Sequence, residues 1–162
     1  MKSIVLIGFA TSGKTTVGKM LADKLNCQFV DCDQLLAQTH GKSIEQLFEG
    51  GESNFRQLEN NLIATLPLAN TVIACGGGAV ETPNFNYLAQ NCTVVYLDID
   101  VFTCMLRLGE TKRPLHDGKT ATELADFLCR RAPMYKKYAD VVVDANFNPS
   151  KVLQEILAKL GL

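Results

Sequence analysis

The chain has 162 residues, a formal net charge of −1 and a charged fraction of 20%, the profile of one soluble domain burying most of its unfolded surface. Basic residues are not clustered and no apolar run reaches membrane-spanning length, so neither nucleic acid nor a bilayer is an expected partner. The six cysteines form no CxxC pair and mostly sit in or beside apolar runs; together with a first strand at the very start, this predicts a cytoplasmic protein with reduced, mostly buried thiols.

In chain order, Ile4–Ile7 reads as a strand and Lys14–Leu25 as a helix. Between them Gly8 to Thr15 spells GFATSGKT, a complete G-x-x-x-x-G-K-[ST] pattern in strand-to-helix context. Consecutive backbone N–H groups at a helix N-terminus form an anion nest, which predicts a phosphate-binding loop. In that loop Lys14 is expected to reach the β- and γ-phosphates and the Thr15 hydroxyl to ligate Mg²⁺.

A second strand at Phe29–Val30 runs into Asp31-Cys32-Asp33, where strand alternation points both carboxylates the same way. One is expected to serve the metal and the other to face an acceptor hydroxyl. Helices follow at 34–39, 43–48 and 52–66, the last carrying Phe55, Arg56 and Glu59. A third strand, Val72–Cys75, leads into Gly76-Gly77-Gly78, where bare backbone predicts a closely packed ligand. A helix at 84–89 precedes the strand Val94–Leu97, whose Asp98 and Asp100 read as helix caps. The helix 101–108 carries Arg107, and the polar segment 109–119 with Arg113 reads as a mobile loop. The helix 121–138 with Arg130 and Arg131, the strand Val141–Val143 and a helix opened by Pro149 complete the chain. Alternating strands and helices predict an α/β fold with a doubly wound parallel sheet.

Taken together, DCD at 31–33, Phe55-Arg56 with Glu59, the triple glycine, Arg113-Pro114-Leu115, and Arg131, Pro133 and Tyr135 are similar to the shikimate kinase family over essentially the whole chain. The resemblance implies a five-stranded parallel sheet flanked by helices, a P-loop NTPase of the nucleoside-monophosphate-kinase type with a short lid. It implies one kinase domain over 1–162, with the P-loop at 8–15, a shikimate-binding region at about 31–61 and the lid at about 109–119. The implied reaction moves the ATP γ-phosphate to the shikimate 3-hydroxyl, in a monomer that uses Mg²⁺.

By the same resemblance, Asp33, Arg56, Gly76, Gly77, Gly78 and Arg131 hold shikimate, with Glu59 orienting Arg56. Lys14, Asp33 and Arg113 carry the transfer, and Thr15 and Asp31 serve the metal. ATP is held by Thr11, Ser12, Gly13, Lys14, Thr15, Thr16 and Arg113, with Arg107 and the Asn148-Pro149 segment flanking its base. Phe48, Phe55, Pro114 and Leu115 are candidates for the apolar wall around the ring, although core packing explains the two phenylalanines nearly as well. Two departures stand out: Thr11 replaces a common glycine, making the loop less permissive, and the lid is short with His116 after its RPL. A gluconate or nucleoside-monophosphate kinase is the nearest rival reading. A GTPase switch is disfavoured because neither NKxD nor DxxG occurs.

Overall fold

The computed structural model describes residues 1–109 and 119–162. Arg113, Pro114, Leu115 and His116 lie outside the described residues. Five strands, β1 (Ile4–Ile7), β2 (Gln28–Asp31), β3 (Thr71–Ala74), β4 (Thr93–Asp98) and β5 (Val141–Asp144), form one parallel sheet in the order β2-β3-β1-β4-β5. The described helices are α1 (Lys14–Leu25), α2 (Cys32–His40), α3 (Ile44–Glu49), α4 (Glu52–Ile63), α5 (Phe85–Asn91), α6 (Val101–Leu108), α7 (Ala121–Tyr138) and α8 (Pro149–Leu160). A single 3₁₀ turn at Ala79–Glu81, with no sequence expectation behind it, follows the triple glycine.

The chain first fills one side of β1 and then crosses to the other, so β1 is central and its C-terminal end opens where the winding reverses. Every residue of β1 and β3 is buried, as strands covered by helices on both faces must be. The same apolar continuity fails at the edges. β5 alternates, with Val142 40% exposed beside buried Val143, because only one face of this edge strand is covered. One core layer, around Ile7, Ile73, Tyr96 and Tyr135, lies under α5 and α7; the other, around Leu6, Leu21, Val95 and Ile156, lies under α1 and α8.

Several boundaries differ from the sequence expectation for local reasons. The long helix expected to reach Leu66 ends at Ile63, since Pro67 biases the residue before it away from helical geometry. α2 starts two residues early, at Cys32, because the Asp31 side chain caps it by accepting from the Gln34 N–H. Asp33 therefore sits in a helical first turn, and strand alternation is not what aligns it with Asp31. Of the two expected caps after β4, Asp100 caps α6 through the Thr103 N–H, whereas Asp98 accepts from the buried Tyr96 hydroxyl at 2.8 Å. Four cysteines are buried as expected, Cys27 is half-buried and Cys129 is exposed.

The turn after β1 is set by Gly8. A Cβ there would lie 2.6 Å from the Leu97 carbonyl oxygen on the neighbouring strand β4, at a φ of +148°. Neither backbone can yield, so Gly8→Ala is expected to cost at least about 2 kcal/mol by overpacking, read as a lowered midpoint in urea unfolding.

Candidate active site

At the C-terminal edge of the sheet lies one cavity of about 630 Å³. Every site residue expected from the sequence and described in the structure lines it, from Thr11 through Asp33, Arg56 and the triple glycine to Arg131 and Pro149. Its two ends differ in chemistry.

The first end is the turn between β1 and α1. Gly13, at a φ of +91°, heads α1 with no side-chain cap, so the first N–H groups of the helix face the cavity. The Lys14 ammonium lies across its own loop, donating to the carbonyls of Gly8 (2.8 Å) and Phe9 (3.0 Å) and to Ser12 Oγ (3.4 Å). Thr11 takes the left-handed conformation, φ +65°, which for a β-branched residue costs on the order of 1–3 kcal/mol. The expectation of a less permissive loop thus has a concrete form. The Thr15 hydroxyl donates to Asp31 Oδ2 at 2.5 Å, while Oδ1 of the same carboxylate caps α2. A hydroxyl and a carboxylate beside a phosphate nest are the hard oxygen donors that suit Mg²⁺. Farther along, Arg107 donates to the carbonyls of Thr11, Ala145 and Phe147, and Asn148 caps α8 just before Pro149.

The second end is built around two arginines. Arg56 on α4 donates to Glu59 Oε2 at 2.7 Å and has Glu52 at 3.6 Å. Its guanidinium lies near the stacked rings of Phe48 and Phe55, whose centroids are 4.1 Å apart. Both phenylalanines therefore line the cavity and also join α3 to α4. Glu59 is fully buried; burial raises its carboxyl above the usual glutamate range, against the opposing pull of Arg56. Arg131 on α7 is held by Glu81 at 3.2 Å through Nε and stands 4.5 Å over the Phe127 ring. Among the described residues, Arg56 Nε and Glu59 Oε1 are buried polar atoms without a hydrogen-bond partner, a cost tolerated at this site.

The triple glycine serves this arrangement in a way the sequence did not indicate. A Cβ at Gly76 would lie 2.6 Å from Glu59 Oε1 and 3.0 Å from Asp33 Oδ1; one at Gly77 would lie 3.3 Å from Arg131 Nη1. A Cβ at Gly78 would overlap the Arg56 guanidinium. The missing side chains first make room for the protein's own charged groups. Two further contributors carried no role in the sequence reading. Glu81 steadies Arg131 from 50 residues away, and the Tyr135 hydroxyl donates to the Gly77 carbonyl at 2.5 Å. Burial lifts the Tyr135 hydroxyl to about 12, so it remains a donor at neutral pH. Tyr135 was visible only as a member of the R-x-P-x-Y string, and nothing local marks Glu81.

A sequence model described as "Shikimate kinase" matches residues 10–161. The chain belongs to the shikimate kinase family. It is 37% identical to the shikimate kinase of Bacillus mycoides, over 99% of both chains. It is 42% identical to that of Chlorobium chlorochromatii, over 88% of this chain and 82% of the relative. The structure of the Acinetobacter baumannii shikimate kinase in complex with shikimate superposes with a TM-score of 0.82 at 33% identity, covering 98% of this chain and 94% of that one. A deoxyadenosine kinase at 13% identity and a TM-score of 0.67 shares the fold alone. As a shikimate kinase the chain is an ATP-using enzyme, and none of its described helices is long and apolar enough to cross a membrane.

Because a Cβ at Gly78 would push the Arg56 guanidinium off the buried Glu59 carboxylate, Gly78→Ala is expected to lower the melting temperature measurably. Displacing Arg56 is expected to raise KM for shikimate about tenfold or more, with KM for ATP unmoved. Steady-state kinetics with each substrate varied, beside a melting curve, checks both halves.

Proposed function

We propose that the two ends of the cavity hold ATP and shikimate so that the γ-phosphate passes directly to the shikimate 3-hydroxyl. The observation that carries this reading is a phosphate nest and a two-arginine, one-aspartate pocket opening into the same 630 Å³ cavity. Bound shikimate in the Acinetobacter baumannii relative supports the acid end.

In this reading the Gly13–Thr16 amides cradle the phosphates, and Lys14 exchanges its loop carbonyls for phosphate oxygens. The flat faces of Arg107 and Pro149 flank the base. Arg56 and Arg131 clamp the carboxylate by paired N–H donors, which the fork of arginine suits and a lysine would not. Asp33 orients the reacting hydroxyl and accepts its proton. Thr15 and Asp31 would hold Mg²⁺, which supplies charge neutralisation on the phosphates when bound. Arg113, outside the described residues, is assigned to the transferring phosphoryl group on the family resemblance alone. Proximity of this kind is worth on the order of 7–11 kcal/mol when the geometry is aligned.

The test is ADP release with and without shikimate, for which turnover is expected only with the acid present. Arg56→Ala is expected to raise KM for shikimate strongly, since a carboxylate clamp acts in the ground state as well as the transition state. Asp33→Asn is expected to lower kcat while leaving ATP bound. Shikimate-independent turnover would refute the acceptor.

A pH profile follows from Glu59. Its carboxyl is raised above the ordinary value of 4.5, so on acidification it takes up a proton earlier than a free glutamate, and Arg56 loses its partner. kcat/KM for shikimate is therefore expected to fall on the acid side at a pH above 4.5, and Glu59→Gln to lose that limb. Persistence of the limb in Glu59→Gln would assign it to another group.

A further inference from the structure

Arg107 spends its hydrogen-bonding edge on the protein itself. Its Nη1 donates to the Thr11 carbonyl at 2.9 Å, and Nη2 donates to Ala145 O at 2.9 Å and Phe147 O at 3.1 Å. All these bonds lie in the guanidinium plane, so one side chain on α6 staples the phosphate loop to the turn between β5 and α8. The stapled residue is the strained one: Thr11, at φ +65°. The neighbouring turn of α6 grips the same place, for the Thr11 hydroxyl donates to Cys104 Sγ at 3.5 Å and that thiol donates to Ala10 O at 3.6 Å.

A glycine at position 11 would adopt the left-handed conformation without help. A threonine needs the surroundings to over-determine it. The donor to the Thr11 carbonyl is a charged guanidinium, and hydrogen bonds from a charged group are roughly twice as strong as neutral ones. We propose that Arg107 is a positioning residue for the phosphates: by holding Thr11 in its left-handed conformation it keeps the nest formed, and so links the base end of the site to the phosphate end. This goes beyond flanking a base, because it assigns Arg107 an effect on a ligand that has no base.

The inference rests on reading this end of the cavity as the nucleotide site. Its test needs no acceptor, so it stands or falls independently of shikimate. Binding of Mg·tripolyphosphate and of MgATP is measured by calorimetry in the full chain, for Arg107→Ala and Arg107→Lys, each in the parent and in a Thr11→Gly background. In the parent, Arg107→Ala is expected to weaken tripolyphosphate about tenfold. In the Thr11→Gly background, where the loop holds its shape unaided, the loss is expected to be no more than about twofold. Arg107→Lys, which keeps the charge but has one nitrogen in place of the two that span Thr11 on one side and Ala145 and Phe147 on the other, is expected to follow the alanine variant and serves as the comparison if that variant fails to fold. The proposal is overturned if tripolyphosphate binds normally to Arg107→Ala while ATP does not, since Arg107 then serves only the base. Equal losses in the two backgrounds, or full affinity in Arg107→Lys, overturn it as well.

Discussion

Keeping two mostly buried guanidinium groups paired and aimed into the cleft is the constraint around which the two-arginine end is built. An unpaired buried charge costs several kcal/mol, so each arginine is matched by a carboxylate, Arg56 by Glu59 and Arg131 by Glu81. The carboxylates must themselves be placed. Glu59 reaches Arg56 because the two lie three apart on one helix, and it has space because Gly76 presents no side chain. Aromatic faces take the remaining surface: Phe48 and Phe55 beside Arg56, Phe127 beneath Arg131. Remote parts of the fold, from α3 to the 3₁₀ turn after β3, are thereby enlisted to orient two side chains.

The phosphate-loop end uses a different economy. Here the groups proposed to bind ligand are mostly backbone N–H donors, and what needs support is backbone conformation. Gly8 provides it by letting the turn pass against β4; Tyr135 does the same for Gly77 across the cavity. Two long side chains, Lys14 and Arg107, add to this support by donating to carbonyls of the loop.

The parts legible in the sequence are those whose chemistry is local. The phosphate loop declares itself because glycine, lysine and threonine at fixed offsets have one geometric use, and the strand order follows from alternating periodicities. Asp31 and Asp33 were found for a partly mistaken reason. Their shared direction comes from a strand ending in a helix cap rather than from strand pleating, a distinction that turns on one hydrogen bond to Gln34. The triple glycine was legible as needed space but not as whose space, since Arg56, Glu59 and Arg131 come from two distant helices. Glu81 was illegible altogether, because a single glutamate acquires meaning only once α7 folds back over the turn that carries it.

Asp31 spends one oxygen on the Thr15 hydroxyl and the other on the first turn of α2, the turn that carries Asp33. One carboxylate thus spans the seam between the two ends of the cavity. If Thr15 takes cation and triphosphate as proposed, any displacement of it would pass through this carboxylate toward Asp33, and linkage requires such a coupling to be reciprocal. A side chain with only two oxygens to share thereby ties the start of α1 to the start of α2.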